Sequence, residues 1–119
     1  MRKLLILLVA ATGLLASDAT GTWTGTFTPD GEDARPAHLV LKQEGTVLTG
    51  TAGPNSEDQR EIAKGKVEGG VVTFEVALKD TTMKFVLHLE GDELTGEISR
   101  EYEGQHQTAK VAVRRNPQK

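Results

Sequence analysis

The chain has 119 residues, with 14 basic and 17 acidic side chains and no cysteine. A single domain of this size can bury enough surface to fold without disulfides or structural metals. The lack of cysteine excludes a disulfide framework, a thiolate metal site and a cysteine nucleophile. The mildly acidic balance, without any basic cluster, argues against a nucleic-acid partner.

The N-terminal stretch has the pattern of a secretory signal peptide. Residues 2–3 are basic, residues 4–15 are almost entirely apolar, and the chain turns polar at Ser17. The apolar run is several residues short of the about 20 that a membrane-spanning helix needs. We therefore expect export to the periplasm or the extracellular space, and no membrane span in the mature protein.

Small residues mark the expected cleavage site. Ser17-Asp18-Ala19 places small side chains at both positions that a signal peptidase reads, which favours a cut between Ala19 and Thr20. Cuts after Ala16 or Ser17 are the alternatives. The sequence thus divides into a signal peptide, residues 1–19, and a single domain, residues 20–119.

The rest of the chain alternates between apolar and polar residues, which is typical of half-buried β-strands. No window beyond the signal has apolar residues at helical spacing. Eight strands are predicted in chain order, at residues 21–28, 37–43, 47–53, 61–67, 71–78, 83–89, 94–98 and 109–113. Residues 100–106 are interpreted as a charged loop before the last strand.

One hairpin unit occurs twice. Residues 39–51 and 85–97 both read as an apolar alternating run, a Glu-Gly turn and then Leu-Thr-Gly. This is the pattern of two antiparallel strands joined by a short turn. A chain of such hairpins predicts a meander of sequential antiparallel strands.

Eight such strands must hide one apolar face, either in an up-and-down barrel or in a two-sheet sandwich. We favour the all-β barrel because closure removes the exposed strand edges. Gly25, Gly50 and Gly96 recur at equivalent strand positions, as expected where strands bend tightly across a small barrel. The long connections, residues 29–35, 54–60, 79–81 and 100–106, should gather at one mouth.

The predicted inward faces are apolar, so we expect no catalytic residue, no metal site and a non-enzymatic protein. Such a barrel either has a filled core or holds one small ligand. If a ligand is bound, its apolar contacts near the mouth should come from Phe27, Leu39, Leu41, Phe74, Val76, Met83, Phe85 and Leu87.

Both ends of the domain resemble the lipocalin (calycin) signature. Gly21-Thr22-Trp23 opens the first strand, and Arg114-Arg115 closes the last. In lipocalins a Gly-x-Trp near the barrel floor packs beneath a cationic side chain from the final strand. The resemblance implies a buried Trp23 beneath Arg115 or Arg114, and Arg115 shares the parity of the inward Val113. The chain departs from lipocalins in its short length and lack of disulfides.

A longer stretch, residues 21–114, is similar to small exported bacterial barrel modules found alone or ahead of secreted α/β-hydrolase domains. The shared features are the Trp-x-Gly start, the Leu-Thr-Gly hairpins and a Gly-x-Val-x-Gly-x-x-Val-x-Phe segment at residues 65–74. The opening Gly-x-Trp-x-Gly also resembles nitrobindin-type haem barrels. Those hold iron with a late histidine, whereas this last strand ends in arginines, so we expect no cofactor.

Two functions are compatible with these observations. A monomeric barrel could take a small hydrophobic ligand through the mouth formed by the long loops. Alternatively, the interior is filled and the charged rim or the Thr-rich outer faces bind another protein of the cell envelope. An enzyme is the weakest option because the inward faces lack titratable groups.

Overall fold

The computed structural model describes residues 18–117, so most of the expected signal peptide, residues 1–17, lies outside the described residues. The described chain is all-β, and none of it forms a helix capable of crossing a membrane. Its nine strands are β1 (Gly21–Pro29), β2 (Arg35–Glu44), β3 (Val47–Gly53), β4 (Arg60–Glu61), β5 (Ala63–Glu68), β6 (Val71–Ala77), β7 (Thr82–Glu90), β8 (Glu93–Tyr102) and β9 (Gln105–Arg115).

Sequential antiparallel pairing confirms the predicted eight-stranded up-and-down barrel. Each main strand pairs with the next along the chain, and β1 closes the barrel against β9, with Trp23 opposite Arg115 and Phe27 opposite Val111. The two-residue β4 is one extra strand, which pairs with the end of β3. Strand alternation turns the apolar residues inward, and no polar or charged side chain is fully buried within residues 18–117.

The predicted fourth strand, residues 61–67, is divided. Ile62 separates β4 from β5, and the register against β6 shifts between Ala63 and Lys66. Lys64 has a φ of 56°, in the left-handed region that bulges use. The extra residues of the bulge interrupt the regular ladder, which the apolar alternation alone did not reveal.

The interpretation of residues 100–106 as a charged loop is wrong. Strand β8 continues to Tyr102 and β9 begins at Gln105, so the connection is a two-residue turn of Glu103 and Gly104. Their φ angles are 52° and 78°, and positive φ at both positions is what a type I′ hairpin turn requires. The charges lie on a strand extension rather than in a loop.

Close backbone approaches explain two of the strand glycines. A β-carbon at Gly25 would lie 2.1 Å from the Ala112 carbonyl oxygen, and one at Gly96 would lie 2.1 Å from that of Val86. Both distances are far below van der Waals contact, so no larger residue fits without a shift of the neighbouring strand. At both positions the neighbouring strand lies too close for a side chain, which is why glycine is required there.

The two ends of the barrel differ. Tight turns at residues 45–46, 69–70 and 91–92 form one end, which we call the closed end. The connections at residues 30–34, 54–59 and 78–81 and the turn at 103–104 form the other, which we call the open end. Three longer connections thus gather at one mouth as predicted. The fourth predicted connection, residues 100–106, is instead a tight turn at residues 103–104 between the extended strands β8 and β9.

Trp23 and Arg115 seal the closed end. The Trp23 side chain is fully buried, and the Arg115 guanidinium carbon lies 4.5 Å from the centre of its ring, in cation–π contact. Arg115 also donates hydrogen bonds to the carboxylate of Asp92 and to the backbone carbonyls of Asp18, Thr20 and Gly91. Of the two adjacent arginines, it is Arg115, which shares the parity of the inward Val113, that covers Trp23. Arg114 faces outward and pairs with Glu93.

The residues just before β1 complete this floor. Ala19 is fully buried, its carbonyl accepts the Trp23 indole N–H at 3.0 Å, and its own N–H donates to Gln43 at 2.8 Å. A chain cut after Ala19 would therefore lose the partner of a buried indole. Cuts after Ala16 or Ser17 would keep it.

The adjacent arginines give a matched test of the floor. Arg115→Ala removes several charge-assisted hydrogen bonds, each worth about 1.5–3 kcal/mol, and uncovers Trp23. Arg114→Ala removes one exposed ion pair, a class worth about 0–1 kcal/mol. We expect a clearly larger drop in unfolding free energy, measured by urea titration, for Arg115→Ala. Equal losses would contradict the floor described here.

A truncation series tests the residues before β1. Chains that begin at Asp18, Ala19 and Thr20 should lose stability in that order, with a step of about 1–3 kcal/mol when the Ala19 carbonyl is removed and the indole N–H is left unpaired. Thermal melting measures the steps. A Thr20 start with undiminished stability would disprove the role of Ala19.

Candidate ligand-binding chamber

The half of the barrel nearest the open end contains an apolar chamber of about 430 Å³, which we call the inner chamber. This volume falls in the range of about 300–1,000 Å³ typical of small-molecule sites. Its wall is made by inward side chains of seven strands, chiefly Phe27, Ala37, Leu39, Ala52, Val76, Met83, Phe85, Ile98 and Val111. Its charged lining residues, Arg35, Asp58 and Arg60, are all exposed and lie at the rim.

Five of the eight predicted contact residues line the inner chamber, namely Phe27, Leu39, Val76, Met83 and Phe85. The other three, Leu41, Phe74 and Leu87, do not line it. Leu41 and Leu87 belong to the packed half of the barrel near the floor, with Leu48, Val72, Leu94 and Val113. Alternation predicts that a side chain faces inward, but not how far along the barrel axis the packing stops.

A stacked aromatic pair supports one wall of the inner chamber. The rings of Phe74 and Phe85 face each other at 4.4 Å between centroids, with 21° between their planes. Phe85 lines the inner chamber, whereas Phe74 is 2% exposed and packs behind it. Because interior packing holds both rings in place, this wall is preformed rather than assembled around a ligand.

A second and more polar space of about 690 Å³ lies toward solvent, which we call the outer cavity. It is lined by the loop residues Asp30 and Glu32 and by the strand extension of β8 and β9, including Arg100 and Gln107. Backbone and side-chain hydrogen bonds between Asp30 and Thr108 hold the loop against β9. The walls of the open end are therefore connected to one another.

Four residues line both spaces and mark their junction. Phe27, Met83 and Ile98 supply apolar surface, and Arg35 supplies a guanidinium that pairs with Glu32 at 2.8 Å. Phe27 and Arg35 are direct partners across β1 and β2. A molecule that spans the junction would pass from an apolar wall to a charged one within the length of a few side chains.

The sequence-based reasoning missed Arg100 and Gln107. They are cross-strand partners, and each lies two residues beyond the last apolar inward position of its strand, Ile98 on β8 and Ala109 on β9. Strand alternation with a period of two places both side chains on the inward face. The interpretation of residues 100–106 as a loop excluded this inference. The inward face of the barrel therefore becomes polar at the open end.

Arg100 is held in a defined position. Its Nε donates to Gln107 Oε1 at 2.7 Å, and its guanidinium carbon lies 4.9 Å from the centre of the Tyr102 ring. The neighbouring His106 instead faces Glu101, with its Nδ1 2.5 Å from a carboxylate oxygen. No group of three or more His, Asp or Glu side chains within residues 18–117 is arranged to hold a metal ion.

The chain was compared with protein families, with curated proteins and with solved structures. No match was found in any of the three comparisons. The two spaces at the open end and the residues that line them define the candidate site.

Proposed function

We propose that this protein is a non-enzymatic binding protein that takes a small apolar ligand into the inner chamber. The observation that carries the proposal is an apolar chamber of about 430 Å³ that opens at one end of a barrel whose other end is sealed. Apolar surface that a ligand covers there is removed from water, which contributes about 25 cal/mol per Å².

The distribution of polar groups supports binding rather than catalysis. The buried residues that line the inner chamber, Leu39, Ala52, Val76, Phe85, Ile98 and Val111, are all apolar. Acid–base or nucleophilic catalysis needs a titratable side chain within hydrogen-bond reach of the reacting atoms. The chamber wall offers apolar contact, and the charged groups remain at the rim.

The proposal includes export and a lipocalin-like mode of action. An N-terminal stretch with signal-peptide features would deliver the barrel outside the cytoplasm, where a monomer could carry or sequester an apolar compound from the cell envelope. The arginine above Trp23 at the sealed end supports the likeness to lipocalins. Fold-level likeness alone does not identify the ligand.

The competing function is protein interaction through the outer wall. It is favoured by three outward valines, Val40, Val47 and Val86, which are 41%, 57% and 46% exposed. Single exposed apolar residues are common on soluble proteins, however, and need no partner to explain them. The preformed chamber is the more specific feature.

A thermal-shift screen with fatty acids, retinoids, haem and hydrophobic dyes tests the proposal. A ligand at 100 times its dissociation constant should stabilise the folded protein by about 2.7 kcal/mol. Val76→Trp, which places a larger ring at the wall of the inner chamber, should abolish the shift. Val86→Trp makes the same substitution on the outer face of β7 and should leave the shift intact.

Overpacking can itself destabilise a core, so Ala52→Leu provides a milder filling variant. It should weaken binding in a protein that still melts cooperatively. The absence of a saturable shift with every compound, or equal effects of the two tryptophan variants, would reject the chamber as the binding site and favour protein interaction through the outer wall.

A further inference from the structure

The outer cavity carries a fixed cation, Arg100, that the apolar ligand site does not use. Arg100 is half-buried, and no ion pair among residues 18–117 includes it. Among the other arginines beside the barrel ends, Arg35, Arg114 and Arg115 each pair with a carboxylate, and the exposed Arg60 has no ion pair within residues 18–117. Arg100 is instead held by an uncharged amide and an aromatic ring.

This arrangement leaves the terminal nitrogens of Arg100 without a carboxylate partner from the described residues. Its Nε is occupied by Gln107, which fixes the plane of the guanidinium. Guanidinium groups present several N–H donors in a fork that matches carboxylate, sulfate and phosphate oxygens. A guanidinium fixed in advance loses little conformational entropy on binding.

Position in the fold connects this cation with the chamber. Arg100 lies on the inward face of β8, two residues beyond Ile98, and Ile98 lines both the inner chamber and the outer cavity. Successive inward residues on one strand are about 7 Å apart. An elongated molecule with its apolar part beside Ile98 would therefore bring a polar end to Arg100.

Two carboxylates line the outer cavity with Arg100: Glu32 is paired with Arg35, and Asp30 accepts a hydrogen bond from Thr108 at 3.4 Å. Asp30 is exposed in a loop, whereas Arg100 is half-buried on a strand. Charges interact more strongly where the surroundings are less aqueous. A bound head group should therefore interact more strongly with the half-buried Arg100 than with the exposed Asp30.

We propose that the ligand is an anionic amphiphile, with its hydrocarbon part in the inner chamber and its acidic head group bound by Arg100. This inference rests on the proposed function, because it assigns the polar end of the same ligand. Long-chain carboxylates, sulfates and phosphates share the required chemistry.

Three probes of equal chain length test the inference by calorimetry on the full chain, below their micellar concentrations. Dodecanoate, dodecanol and dodecyltrimethylammonium share a tail and differ in head-group charge. Dodecanoate should bind about ten- to a hundredfold more tightly than dodecanol, the gain expected of charge-assisted hydrogen bonds. The cationic probe should bind most weakly. The affinities of dodecyl sulfate and dodecyl phosphate, compared with that of dodecanoate, then show which acidic head group binds most tightly.

Two arginine variants locate the head group. Arg100→Gln should remove the advantage of dodecanoate and leave dodecanol affinity within about twofold, and Arg100→Lys should restore part of the advantage. Arg114→Gln is the matched control, because it removes the same charge from an exposed arginine at the closed end that lines neither space. Arg60→Gln tests the rival cation, an exposed arginine at the rim of the inner chamber without an ion pair within residues 18–117.

The outcomes separate the two proposals. Equal binding of all three probes, preference for the cationic probe, or a loss on Arg60→Gln instead of Arg100→Gln would overturn the Arg100 assignment while keeping an apolar ligand site. Failure of every probe to bind would overturn the apolar ligand site itself.

Discussion

The stacking of Arg115 on Trp23 gives this barrel two different ends. The indole fills the space between the strands at the closed end, and the guanidinium above it connects β9, the turn at residues 91–92 and the segment before β1. A cation so placed is satisfied by backbone carbonyls as well as by one carboxylate. Because this cluster seals one end within residues 18–117 and the inner chamber opens at the other, the interior has a direction from a packed floor to an accessible chamber.

The same period-two alternation that builds the wall also sets the polarity of the interior. Along β8 the inward positions run from Leu94 through Gly96 and Ile98 to Arg100, and along β9 they run from Val113 through Val111 and Ala109 to Gln107. Near the floor these side chains pack against each other, farther out they surround the inner chamber, and beyond it they are polar. The inward face of this strand pair is therefore apolar toward the floor and polar at the open end, which matches the two ends of an amphiphile.

Much of this architecture could be predicted from the sequence, because strand alternation and Gly turns report on local backbone geometry. The barrel, its inward faces and the need for glycine at positions 25 and 96 follow from that pattern, whereas a Trp23 buried beneath Arg115 was implied by the resemblance to lipocalins. The bulge at Lys64 depends on pairing with a distant strand, and the extent of the inner chamber depends on packing in three dimensions. The charged composition of residues 100–106 suggested a loop, and the inward parity of Arg100 was therefore missed.

The central claim is that a ligand is bound inside the open half of the barrel and not on its surface. Methyl-resolved NMR during titration with dodecanol tests it directly, since a neutral probe reports on the chamber independently of the head group. We expect saturable shifts at the lining residues Leu39, Val76, Ile98 and Val111, and little change at Leu94 and Val113 near the floor. Shifts confined to the outward Val40, Val47 and Val86, or no saturable shifts at all, would contradict the account.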